Sequence, residues 1–328
     1  MLRRHLVCVL FTALLFGGFA MSADAGSKRV ERRLDGVLVR PSQANPRVFA
    51  VMIDNHTAAR PQAGLDKASV VYEALAEGGI PRFMALFART DLSLVGPIRS
   101  ARPYFIRSAA EYPAAVFHVG GSPDAQELLK KLKLRNVEGQ KGSTAKYFFR
   151  KGYGVHATYT NGKLIAAAMK NKKGKAAVLH YRPWKYTVDP PMKKRPKRRQ
   201  QVHVDLGAGR PYTVGYAYSR RRNAYLRSTG GVLRRDAVSK QPLAAKNVVL
   251  LFVPKERVLD RAGRIELKTV GRGKAILLQS GKARTVRWQK KSDRGRLLFT
   301  DSRGNEIRFL RGSTWITIVP KGKTYRIY

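Results

Sequence analysis

Cysteine is almost missing from this 328-residue chain: the single one, Cys8, stands near the N-terminus. A cleaved leader would remove it, which excludes a disulfide and a thiol nucleophile from what remains. Histidine is scarce, with six residues in all and no H-x-x-x-H or C-x-x-C spacing. A zinc site needs three or four converging ligands, so no metal is expected; Asp54 with three dispersed histidines is a poor substitute. No P-loop or dinucleotide fingerprint is present, and no cofactor is expected. Acids are short too, 21 against 65 Lys and Arg, for a net charge of +44. Nothing after Met21 is long and apolar enough to span a bilayer, which takes ~20 residues.

The N-terminus has what the rest lacks. MLRRH carries Arg3 and Arg4, Leu6 to Met21 is uncharged and apolar, and Ala23-Asp24-Ala25 supplies small residues. That is a Sec-type signal, with cleavage expected after Ala25. The expected location is periplasmic or secreted. Membrane contact is then at most peripheral, unless the leader is retained as an anchor. Cys8 lies too early to be a lipid-modified cysteine, which would follow the apolar run.

The positive field attracts polyanions. An anionic cell-wall or surface polymer is the expected partner, and a small anionic ligand a further one. Export makes nucleic acid a poor choice, and DNA binding would rest on charge alone. The alternative is that the charge is a general compositional habit of exported proteins.

Along the chain, residues 26–45 are polar without period and read as a linker. Residues 46–178 read as a mixed α/β (α+β) domain. VFAVMID, SVVYEALA and RFMALFAR are its strand candidates. SARPYFIRSAAEY reads as a helix, and AAVFHVGG as a buried strand. Ser122 caps PDAQELLKKLKL, with Pro123 at the first helical position and Asp124 in the first turn. Residues 179–201, rich in Pro, Lys and Arg, read as a second linker. Residues 202–328 alternate apolar and polar in short runs such as NVVLLFV and STWITIVP. They predict a smaller, mostly antiparallel β domain. Lys193 to Arg235 holds 13 Lys and Arg against one acid, Asp205.

Between the second and third strand candidates lies a polar knot with Glu73, Glu77, Gly78, Gly79 and Arg82. Its surroundings are nearly neutral: Met52 to Ala101 has five acids and five bases. Three readings stay open. Glu73 or Glu77 works as a general acid or base with Arg82 or a histidine. Arg60, Arg82, Arg99 and Arg102 cup an anion while the acids orient them. Or the charges brace a turn. Ser122 lacks the G-x-S-x-G context of a nucleophile, although its Gly-rich helix start suits an anion.

RVFAVMIDNHTAARPQAGL, VVYEALAEGGIPRFMALF, VGPIRSARPYF and VFHVGGSP, in this order and spacing, resemble the YerB-like family of exported bacterial proteins. Many members are classed as lipoproteins, and the family's function is not established. RIELKTVGRGKAILLQSGKARTVRW and FTDSRGNEIRFLRGSTWITIVP resemble its smaller C-terminal domain. The resemblance implies two domains. It singles out Asn55, Arg60, Glu73, Glu77, Arg82, Arg99, Ser100, Arg102, His118, Ser122 and, in YGVHATYTN, His156. This chain departs in lacking a lipobox cysteine and in its Lys193–Arg235 stretch.

The leading expectation is therefore a non-enzymatic envelope protein. It would bind an anionic or carboxylate-bearing ligand, such as a cell-wall component, through Asn55, Arg60, Arg82, Arg99, Ser100, Arg102 and Ser122. The alternative is a cell-wall hydrolase with Glu73 or Glu77 as general acid or base and His118 or His156 in support.

Overall fold

FAVMI, VVYEAL and PRFMALF are rich in β-branched and aromatic residues, and every residue in them is buried. Such runs need neighbours at both edges and cover on both faces. In the computed structural model, which describes residues 28–112, 114–170 and 181–328, they lie inside a ten-stranded sheet. The signal segment and His180 fall outside the described residues.

The strand order is Leu298–Thr300, Lys282–Lys290, Gly271–Gln279, Asn247–Val253, Thr314–Pro320, Val70–Leu75, Pro81–Phe87, Phe49–Ile53, Ala115–His118, Asn136–Glu138. The first five come from the C-terminal region and the last five from the N-terminal one. The seam is a parallel pairing that runs from Thr314↔Val70 to Thr317↔Glu73. The regions that the sequence separates thus share one sheet. A second, six-stranded sheet contains Ala224–Thr229, Val214–Ser219, Gln201–Asp205 and Thr324–Ile327. The described chain is mostly β, with three α-helices: α1 (Pro103–Ala109), α2 (Pro123–Lys131) and α3 (Gly162–Met169). Pro81 opens its strand, where its missing N–H removes no ladder bond from the strand's middle.

Neither linker is only a linker. In 26–45, Leu34 and Asp35 are buried, and Asp35 accepts bonds from Arg32 Nε (2.9 Å) and Ser69 Oγ (2.6 Å). A side chain at Gly36 (φ +70°) would strike the Tyr186 ring at 2.3 Å, so glycine is required there. In 179–201, Lys185–Thr187 pairs parallel with Arg308–Leu310, and Tyr181, Trp184 and Tyr186 are buried. Contacts across such sequence distances leave no local period to read.

The sheets meet at one ion pair. Arg227, on Ala224–Thr229, donates from Nη2 (2.6 Å) and Nη1 (3.0 Å) to the two oxygens of Glu73, and both residues are 1% exposed. Tyr216 Oη accepts from Arg227 Nη1 at 2.8 Å, and Thr317 Oγ1 donates to Glu73 at 3.2 Å. The guanidinium lies over the rings of Trp315 (5.0 Å), Phe83 (5.2 Å) and Tyr216 (5.4 Å). Burial alone would pull the Arg227 guanidinium down, but the Glu73 charge overrides it and raises it.

Removing one partner strands a buried charge. Glu73→Ala is expected to lower unfolding stability by about 3–5 kcal/mol, and Glu73→Ala/Arg227→Met to lose less than Glu73→Ala alone. Urea titration of the three proteins measures both.

Candidate functional site

The knot splits its two acids. Glu73 sits within its strand and points into the contact between the sheets, where Arg227 occupies it. It is paired with neither Arg82 nor a histidine and is closed to solvent, which corrects its reading as a general acid or base. Glu77 lies in the Glu77–Gly79 turn with its side chain 23% exposed. Arg102 Nε bonds one of its oxygens, and Arg82 Nη2 lies 3.6 Å from the other. Burial would raise the Glu77 carboxyl; the Arg102 hydrogen bond and charge, with Arg82, bring it below its ordinary 4.5.

Both guanidiniums also brace backbone. Arg82 Nη1 donates to the Ser100 carbonyl at 3.0 Å, and Arg102 Nη1 to the Ala101 carbonyl at 2.6 Å. Burial, then the charge of Arg102, lowers Arg82. This triangle fixes the 99–102 segment. It leaves Arg82 and Arg102 poorly placed to cup a ligand.

Arg60 and Asn55 form a separate corner. Arg60 donates from Nε to Asn55 Oδ1 (3.2 Å), from Nη2 to the Asn55 carbonyl (2.9 Å) and from Nη1 to the Pro211 carbonyl (2.9 Å). Its guanidinium covers the Tyr212 ring at 4.9 Å. Burial first, then the charge of Arg234, pulls Arg60 down to about 10, so it stays charged at neutral pH. Arg60 ties the Asn55 loop to the second sheet and does not join Arg82, Arg99 and Arg102 in a single cup.

His118 and Ser122 are structural by position. His118 is fully buried; its Nδ1 donates to the Gly120 carbonyl (2.8 Å), and its Nε2 faces Asn136 Oδ1 (2.6 Å). Glu138 Oε2 lies 3.3 Å from Nδ1. Ser122 Oγ accepts from Ala125 N–H at 3.4 Å as the cap of α2. The described partners of His118 are Gly120, Asn136 and Glu138, and neither Glu73 nor Glu77 is among them.

The remaining residues converge. Asp54, at the end of Phe49–Ile53, accepts from His156 Nδ1 at 2.6 Å and lies 3.2 Å from Arg99 Nε. The His156 ring stacks on His56, with centroids 4.6 Å apart and planes at 10°. His56 Nδ1 accepts from Ala58 N–H (3.2 Å), while Asp54 Oδ1 accepts from His56 N–H (2.9 Å). Arg99 Nη1 donates to the Val155 carbonyl at 3.1 Å. Beside this group opens a cleft of about 630 Å³, lined by Arg99, Ser100, Gln140, Phe148, Phe149 and Arg150, among others. No Asp or Glu is among its described lining residues.

Of the residues singled out in the sequence, only Arg99 and Ser100 line the cleft, with His156 next to Val155 at its rim. Arg150 and Gln140 were missed. Arg150 is brought there by the antiparallel pairing of Phe149–Arg150 with Thr158–Tyr159, a two-residue ladder with no readable period. Asp54 does carry a signal, since it opens the polar Asp54-Asn55-His56 cluster at a strand end.

Sheet and cleft define a mostly β protein in two sequence regions, with a polar cleft beside the N-terminal half of a shared sheet. Residues 34–176 match the model described as "Protein of unknown function (DUF3048) N-terminal domain", and 202–316 its C-terminal counterpart. The chain is 31% identical over 317 residues to "Putative lipoprotein YerB" of Bacillus subtilis (strain 168), covering 96% of this chain and 93% of that one. It is similar to the crystal structure of YerB protein from Bacillus subtilis at TM-score 0.79 and 30% identity, covering 90% of this chain and 99% of that one. The chain belongs to the YerB-like family.

The Glu77 carboxyl is depressed in the fold, so it contributes stability above 4.5 that is lost as pH falls through its lower folded value. Glu77→Gln should therefore lose less stability than the parent between neutral pH and acid, as read by unfolding midpoints across pH.

Proposed function

We propose that the protein acts in the cell envelope as a non-enzymatic binder of an anionic or carboxylate-bearing ligand, a cell-wall component, in the cleft of Arg99 and Arg150. The carrying observation is the acid-free lining: two guanidiniums meet Ser100, Gln140 and the walls of Phe148 and Phe149. Guanidinium forks match carboxylate and phosphate geometry. Asp54 holds Arg99 from behind and orients it. Arg150 has no carboxylate partner among the described residues; its Nη2 donates to the Gly154 carbonyl at 2.8 Å.

The basic C-terminal region adds attraction to an anionic polymer. Arg195 Nη1 donates to the carbonyls of Arg220 (3.0 Å) and Arg221 (3.2 Å), and Arg220 Nε returns a bond to the Arg195 carbonyl at 3.1 Å. This clasp sets exposed Lys197, Arg198 and Arg199 beside exposed Arg221 and Arg222. The envelope assignment rests on the N-terminal leader pattern and on the name of the Bacillus subtilis relative. No helix among the described residues is long and apolar enough to cross a membrane.

The wall-hydrolase reading retains one supporting observation, the Asp54–His156 pair. A carboxylate held on a histidine nitrogen is the geometry that orients a general base. In that reading Asp54 stands where Glu73 or Glu77 was expected. Release of soluble fragments from purified wall material, abolished in His156→Ala, would favour it over binding alone.

Purified wall material should retain the protein at low salt and release it as salt rises. Arg99→Ala or Arg150→Ala should each weaken binding about tenfold and make its salt dependence shallower. An absence of retention at low salt overturns the proposal.

A further inference from the structure

A second groove lies in the C-terminal region and shares no lining residue with the Arg99 cleft. It exists because the large sheet splays. Asn247–Val253 and Gly271–Gln279 pair only as far as Leu251↔Ala275. Beyond that, the Trp288 indole N–H takes the Phe252 carbonyl at 2.9 Å. The indole crosses Gly273, where an added Cβ would lie 2.7 Å from Nε1. Any larger residue there would push Trp288 off this bond. Residues 271–274 stay paired with Lys282–Lys290 on one side and, among the described residues, have no strand on the other. The gap holds about 460 Å³, bounded by Phe252, Arg272, Pro320, Lys321, Lys323 and Tyr325.

Its charge is one-sided. Lys274 faces Arg287 directly across the hairpin, a pairing that costs stability when both are cations. Arg272 stands two residues from Lys274 and so on the same face. Arg272, Lys274, Arg287 and Lys321 are exposed and have no carboxylate partner among the described residues, while Glu256 is neutralised by Lys323 at 2.8 Å. Tyr325 is 37% exposed, its ring 5.1 Å from that of Phe252.

We infer that this groove receives an extended acidic peptide, added as a strand beside Gly271–Lys274. An open strand edge supplies main-chain hydrogen bonds, and alternate side chains of the added strand reach one face. There Arg272, which lines the groove, and Lys274, next to it on the same face, take carboxylates, and the other side chains lie against Phe252 and Tyr325. Cations alone would guard an edge against self-pairing, but a guard needs neither the volume nor the aromatic floor. A glycan would use the cations and the rings and leave the strand edge unpaired.

The test is anisotropy titration of the purified protein, at low ionic strength, with a labelled heptapeptide alternating Glu and Val. Saturable binding is expected, weakened about tenfold by Arg272→Ala or Lys274→Ala. Both variants change exposed side chains only. The same peptide N-methylated at every residue, which blocks both edges, should lose binding, which needs no change in the protein. Equal binding of the methylated peptide, equal binding of a Lys–Val control, or binding of polygalacturonate but not the peptide would each overturn the inference.

Discussion

Everything in this fold is arranged around the ion pair between Glu73 and Arg227. It sits where two sheets press together, with both partners 1% exposed. An isolated charge there would be prohibitively desolvated. The pair is tolerable because Tyr216 and Thr317 occupy further sites on it and three rings cover the guanidinium. Its partners come from Val70–Leu75 and Ala224–Thr229, so the two family regions cannot separate without exposing both charges. Arg227 belongs to the stretch whose density of cations suggests a surface patch, yet it is the one turned inward.

The same bookkeeping sorts the other guanidiniums. Arg60, Arg82 and Arg102 each spend donors on backbone carbonyls, and the last two share Glu77. They hold loops to the sheet and to each other. Arg99 also gives a donor to a backbone carbonyl, that of Val155, but it pairs with the buried Asp54 and lines the cleft. Four arginines that look alike in sequence thus divide into three that brace loops and one that lines the cleft.

The strands and helices around the knot were legible because their cues are local: unbroken apolar runs for VVYEAL and PRFMALF, and Ser122-Pro123-Asp124 for the start of α2. Helix α3 was not, although Asn161 Oδ1 caps it by accepting from Leu164 N–H at 3.0 Å; its small residues carry little amphipathic contrast. The shared sheet was illegible for a stronger reason. STWITIVP reads as a strand in any context, and nothing in it states that one neighbour is Asn247–Val253 and the other Val70–Leu75. For the site, residue types pointed to an Arg-rich region, but which Arg pairs with which acid depends on contacts such as Glu73–Arg227, 154 residues apart.

The seam strand Thr314–Pro320 also sets an order of events. It lies in the middle of the large sheet, and Thr317 meets Glu73 across 244 residues. Until it arrives, Val70–Leu75 and Asn247–Val253 are both bare edges, and Glu73 has no Thr317 to bond. A chain growing from its N-terminus therefore carries Val70–Leu75 with one edge unfinished for most of its synthesis. Contacts of this separation form late and slowly. Over that interval the open edge of Val70–Leu75 has no partner strand and is the edge that another chain's strand could take.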